Sequence, residues 1–422
     1  MKKIMACAIF LCVLFAVSGC SKKESGEESN KLVVWSFTDE LEGLINKYYK
    51  PAHPDMVIEY SLTTTEQFPN KLDPVLASGQ GVPDVFALED AFVRKYVESG
   101  LLLDLTDVYN EVKDKMLEYP VQIGSYNGKV YGMSWQATPG AMFYRRSLAK
   151  KYLGTDDPME VQEYFKDLDT FMKTADLLKE KSGGSCVTVS SLQDLMKPFL
   201  AARQKPWVVD GQFYIDPVML QFMDTVKTLR DKGEDARLGQ WSEGWFAAMQ
   251  GTLKNEQGKS VEVFSALLPT WGLHYVLKTN APDTAGDWAM IAGPMPYRWG
   301  GTWIGAWKKT KNPNAAKEFI KYLASDDTYL KAHALESGDL VSNIDVINEI
   351  KDSFSEPFLG GQNHYAAFAE MAKNVNGSLT QGTDQAIEAL FVEVFNAYAN
   401  GEKTKEQAIT AFKEQVSAQL SL

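Results

Sequence analysis

With 422 residues, 45% of them hydrophobic and 23% charged, the chain is too long for one ordinary core. That composition excludes a disordered or membrane-spanning protein. A formal charge of −12 with no basic stripe excludes nucleic acid as a partner.

The chain opens on an export signal. Lys2 and Lys3 precede an apolar run over 4–17, and Val17, Ser18, Gly19 and Cys20 read as a lipobox. The run is too short to cross a bilayer comfortably. It predicts a lipoprotein signal peptide over 1–19, cut before Cys20. One acyl chain anchors only marginally, so the expected anchor is a diacylglyceryl Cys20 with an acylated (palmitate-like) amine. The mature protein is expected to be extracytoplasmic and tethered to the cell membrane, about two charge units more negative once Lys2 and Lys3 leave. Cys7 and Cys12 depart too, leaving Cys186 as a lone residue of small, buried, apolar character. His53, His274, His333 and His364 lack metal-ligand spacing, and neither metal nor cofactor is expected.

Residues 20–30 hold the lipidated cysteine and a polar leash. Residues 31–35 (KLVVW) read as a buried strand. Leu41, Leu44, Ile45 and Tyr48 follow at helical spacing, with Thr38 as N-cap, and Pro51 and Pro54 are expected to stop that helix. Residues 56–60 form a second strand, completing a βαβ unit and implying a parallel sheet. A helix over 70–79 and a third strand over 83–88 come next, then an Asn127-Gly128 hairpin turn. Helices are predicted over 171–181 and 218–232, with a loop leading into a short strand over 181–191. Asn312 and Pro313 start a further helix, and Thr404 with Gln407 forms a capping box before the last one. The fold class is α/β.

Ligands in open α/β sheets bind at the carboxyl ends of strands. That rule nominates Ser36, Phe37 and Thr38 after the first strand, Thr64, Thr65 and Gln67 after the second, and Glu89 and Asp90 after the third. These groups can pair with hydroxyls that donate and accept together. Turn and cap chemistry is the plainer role for the threonines, and helix-start placement for the acids. A flat ring covers the C–H face of a sugar, and the chain carries ten Trp.

In order, the segments KLVVWSFTDELEGLINKYYK, LASGQGVPDVFALED, NGKVYGMSWQATPGAMFYRRSLAKKYLG, GGTWIGAWKKTKNPNAAKEFIKYLASDD and GEKTKEQAITAFKEQV resemble the family 1 extracellular solute-binding proteins of carbohydrate ABC transporters, relatives of maltose-binding protein. The likeness covers nearly all of the mature chain. It implies a two-lobe, type II-like periplasmic-binding-protein fold with a hinged cleft. The N-terminal lobe would comprise 31–138 plus 300–338, and the C-terminal lobe 139–299 plus 339–422. The chain would cross near 136–141, 299–301 and 339–342. The resemblance singles out Trp271 as a stacking aromatic, then Trp135 at the hinge, Trp303 behind Gly301 and Thr302, Trp241 with Glu243, and Tyr144. Core packing is the expected role of Trp207, Trp245, Trp288 and Trp307.

Together these features describe a monomeric, lipid-anchored binding protein that captures a sugar or oligosaccharide and hands it to the permease subunits of an ABC importer. A peptide or polyamine is the alternative ligand. A lipid-anchored glycoside hydrolase is less consistent with the order of motifs, and no nucleophile elbow, zinc-protease motif or Walker loop occurs. The expectation is a protein that is not an enzyme.

Overall fold

The computed structural model of the chain describes residues 30–420 and 422; the lipobox, Cys20 and the leash up to residue 29 lie outside them. Among the described residues no helix is long and apolar enough to cross a membrane.

Two four-stranded sheets organise the molecule. The strands are β1 Lys31–Ser36, β2 Val57–Leu62, β3 Val85–Glu89, β4 Gly140–Arg145, β5 Cys186–Val189, β6 Glu262–Pro269, β7 Trp288–Ile291 and β8 Thr302–Ala306. The first sheet runs β8-β3-β1-β2, and the second runs β7-β4-β6-β5. β1 pairs in parallel with β2 and β3, as the βαβ reading requires. β8 returns antiparallel to β3 and sets Thr302 opposite Glu89. The second sheet is mixed, with β6 parallel to β5 and antiparallel to β4. β3 to β8 are buried along nearly their whole length, as strands enclosed on both faces are, whereas β1 alternates and β2 is a largely exposed edge strand.

Local signals account for much of the rest. Asn127 and Gly128 take φ of 48° and 74°, the left-handed pair that closes a type I′ hairpin. The Thr404 amide donates to Gln407 Oε1 at 2.9 Å and the Gln407 amide to Thr404 Oγ1 at 3.2 Å, completing the capping box. Pro51 does not stop its helix. A widened π turn over Ile45–Tyr49 leads into a last turn, Lys50–Ala52, where the proline occupies a first-turn position that needs no N–H. Cys186 is fully buried in β5, and burial pushes its thiol up to about 12.

Three stretches lie side by side between the sheets. The Ala137 amide donates to Leu340 O and the Ser342 amide to Trp135 O, both at 2.8 Å. On the other flank the Gly140 amide donates to Tyr297 O at 2.8 Å and the Trp299 amide to Thr138 O at 3.2 Å. One apolar cluster runs from the first sheet through Trp135 and Ala137 to Ala141 and Phe143 on one face of β4. A second begins on the opposite face of the same strand, at Met142 and Tyr144, and continues to Phe391 and Phe412. The alternation along β4 makes it a shared wall between two cores.

Four helices matter for the site: α1 Asp90–Glu98, α2 Met196–Ala201, α3 Glu243–Gln250 and α4 Asp384–Ala399.

Candidate functional site

The carboxyl ends of β1, β2 and β3 open on a cavity of about 660 Å³ beside the crossing stretches. Phe37, Thr38, Asp39 and Glu40 enter it from the loop after β1, Thr65 from the loop after β2, and Glu89 from the end of β3. Gly300, Gly301 and Thr302 form the adjoining wall at the start of β8, with Gln136 beside them. Trp241, Trp271, Tyr275 and Trp299 complete the lining.

The aromatic side is an indole cage. The Trp241 and Trp271 rings lie 8° from parallel with centroids 6.2 Å apart, and Trp299 meets Trp271 edge-on at 5.5 Å. Trp271 Nε1 donates to Trp299 O at 2.9 Å, which fixes the ring without using its face. A glycine pair permits this approach. Gly300 and Gly301 take φ of 70° and 117°, and a Cβ on Gly300 would fall 2.8 Å from Trp271 Nε1. Trp241 is 50% exposed. Its backbone sits at φ 66°, a region where a bulky residue is a genuine outlier.

The polar side holds its groups in fixed positions. The Glu40 amide donates to Thr38 Oγ1 at 3.2 Å, so the threonine closes the turn that presents Asp39 and Glu40. Gln136 Nε2 stands 3.4 Å from Glu40 Oε2 and 3.5 Å from Thr302 Oγ1. Glu89 caps α1 by accepting from the Ala91 amide at 2.6 Å. Burial and the neighbouring Asp90 charge push its carboxyl up to about 7. Behind the wall, burial and the Glu40 charge also raise Asp339.

Phe37, Thr38, Thr65, Glu89, Trp241, Trp271, Gly301 and Thr302, nominated from sequence, therefore stand around one cavity. The other nominees do not. Trp135 is fully buried in the first core. Trp303 is buried because it follows Thr302 on a strand and so faces the opposite way, with Nε1 donating to Pro120 O at 2.8 Å. Tyr144 belongs to the second core, its hydroxyl donating to Asp156 O at 2.7 Å. Ser36 is buried, and its hydroxyl donates to Thr38 O at 2.9 Å. Thr64, Gln67 and Glu243 are exposed outside the lining, and Asp90 turns to an ion pair with Arg298. Sequence reasoning missed Asp39, Glu40, Gln136, Tyr275, Trp299 and Gly300 as lining residues. Trp299 had a usable signal, an aromatic directly before a Gly-Gly turn.

What this arrangement offers is recognition. Among the described residues no group of three His, Cys, Asp or Glu side chains could hold a metal ion. A cavity between two sheets, rigid at strand ends and rimmed by indoles, defines a two-lobe ligand-binding protein. Residues 35–329 match the bacterial extracellular solute-binding protein family, and the chain belongs to it. Its members are binding proteins, not enzymes. The arabinooligosaccharide-binding protein of Bacillus subtilis (strain 168) is 26% identical over 76% of this chain and 76% of its own length. A crystal structure of a family 1 extracellular solute-binding protein superposes with a TM-score of 0.80, 20% identity, and coverage of 91% of this chain and 99% of that one. The ABC transporter associated binding protein of B. animalis subsp. lactis Bl-04, solved with β-1,6-galactobiose, gives a TM-score of 0.71 at 21% identity, covering 92% and 97%.

Proposed function

We propose that this protein captures a neutral sugar or oligosaccharide between its lobes and delivers it to an ABC importer, held at the membrane by a lipidated Cys20. The observation that carries the reading is the pairing of an indole cage with a wall of amide, hydroxyl and carboxyl groups across one cavity. Rings cover the C–H faces of a sugar while its hydroxyls meet groups that donate and accept. The arabinooligosaccharide-binding relative and the galactobiose-bound neighbour support the same ligand class. The lobes would comprise 31–138 plus 300–338 and 139–299 plus 339–422.

Closure is a population shift, and the ligand drives it only by touching both lobes. Trp241 and Trp271 on one side, and Thr38, Glu89 and Thr302 on the other, meet that condition. Going from mostly open to mostly closed takes roughly 5.5 kcal/mol of differential binding, within reach of several hydrogen bonds and two stacked rings. A second reading has one observation in its favour. Asp39, Glu40 and Glu89 line the cavity, while no Lys, Arg or His does so among the described residues, which suits a cationic solute such as a polyamine.

Titration calorimetry with a panel of mono- and oligosaccharides, peptides and polyamines separates the two. Micromolar saccharide binding with a smaller radius of gyration by X-ray scattering is the expected result. Polyamine or peptide binding without saccharide binding overturns it. For the anchor, a Cys20→Ser variant is expected in the soluble fraction, and membrane retention of that variant would contradict lipidation at Cys20.

A further inference from the structure

We infer that a second chamber, beyond Trp299, holds a further uncharged sugar unit of the same ligand, so that the protein selects oligosaccharides long enough to run from the indole cage into it. The inference rests on the carbohydrate reading of the cavity. The chamber encloses about 210 Å³ between α1 on one side and α2 and α4 on the other. At roughly 30 Å³ per water, that is space for about seven waters, or for one ring with its hydroxyls.

It adjoins the cleft. Glu89 and Trp299 line both spaces. A third hollow, lined by Trp241, Trp299, Lys197 and Glu388, shares residues with each of them. A chain of linked rings leaving the cage at Trp241 would pass the edge of Trp299 and arrive beside the Lys197–Glu388 pair.

The chamber walls are unlike the cage. They carry three cation–anion pairs: Asp90 with Arg298, Lys197 with Glu388 at 3.0 Å, and Arg203 with Asp384 at 3.6 Å. Removing charges from water is expensive, and a folded core gains little from pairs so placed. Paired charges lining an open volume offer fixed donors and acceptors instead. They also cancel one another, leaving Glu89 as the one lining acid without a cationic partner of its own among the described residues, so a uronate or phosphate gains nothing from the local field.

Hydrogen-bonding capacity remains unused there. Arg203 and Asp384 line the chamber with only 6% and 8% exposure. Even so, Arg203 Nη1 and Asp384 Oδ1 have no hydrogen-bond partner among the described residues. A guanidinium only donates and a carboxylate only accepts. Neighbouring hydroxyls of one sugar ring, one accepting and the next donating, answer that combination.

Calorimetry on the full mature protein with arabino- and galacto-oligosaccharide ladders of two to five units tests the inference. In the ladder that binds, affinity is expected to rise about tenfold at the length that reaches the chamber, then level off. Two variants target the chamber by different means: Ala201→Leu fills it, and Lys197→Gln removes one pair's charge. Both are expected to bind the short members like the parent while losing the gain for longer ones, so retained short-chain affinity reports correct folding. Equal affinity at every length, or a gain that survives Ala201→Leu, overturns the chamber and leaves sugar capture intact. No binding at any length overturns the carbohydrate reading and this inference with it.

Discussion

Trp241 shows most directly how a single residue is committed to a site. A left-handed backbone disfavours a side chain with a Cβ by about 1–2 kcal/mol. The residue nonetheless places half its surface in solvent, parallel to Trp271 and 5.1 Å from the Trp245 ring. Trp241→Gly relieves the backbone but forfeits contacts with four rings, each worth about 0.5–1.5 kcal/mol beyond the area it buries, so the loss outweighs the relief. The melting temperature is expected to fall by a few degrees, while saccharide affinity falls tenfold or more. A large drop in melting temperature with unchanged affinity would assign the residue to the core. Trp271 is different because it is anchored to Trp299 and seated on Gly300. Trp271→Ala should lose both affinity and stability, and a variant that binds like the parent would remove this ring from the site.

At the scale of elements, the site is assembled from strand ends, and strand ends were legible. The βαβ start, the Asn-Gly hairpin and the helix behind Asn312 and Pro313 follow from local chemistry that tertiary packing did not override. The groups after β1, β2 and β3 follow from topology alone. The face of a residue within a strand was not legible, because a one-residue step reverses it. Thr302 thus lines the cavity and Trp303 does not, though sequence treats them alike. Tyr275 and Trp299 were missed for another reason: each enters from a segment whose path depends on how the second sheet sits against the first. The glycine turn between them gives a test of that assembly. Gly300→Ala adds a Cβ 2.8 Å from Trp271 Nε1 at a φ of 70°. It should destabilise by about 1–3 kcal/mol and weaken binding together, since the indole must move. Binding that is unaffected would mean the Trp271–Gly300 contact has no part in shaping the cage.

Across the whole molecule, buried carboxyls set the response to pH. Burial pushes Asp194 up to about 6 and Glu234 up to about 7, the latter with help from Asp176. Burial also raises Glu89, Asp339 and Asp384. A carboxyl raised in the folded state keeps its proton where the unfolded chain has lost it, so stability falls as pH climbs from about 4 to about 7. Two histidines oppose this. Burial lowers His274 and His364, so the unfolded chain takes up their protons first below about pH 6.5, and stability falls toward acid. Five groups outweigh two over the shared window, and above pH 6.5 the carboxyls act alone. The melting temperature is therefore expected to drop by at least about 3 °C between pH 5 and pH 8. Glu234 isolates one contribution, because it is 1% exposed and neither carboxyl oxygen has a hydrogen-bond partner among the described residues. Glu234→Gln keeps the shape and removes the charge, so it should raise the melting temperature at pH 8 and leave it nearly unchanged at pH 5. A variant destabilised equally at both pH values would show that Glu234 is ionised in the folded protein and held by partners that the amide cannot satisfy.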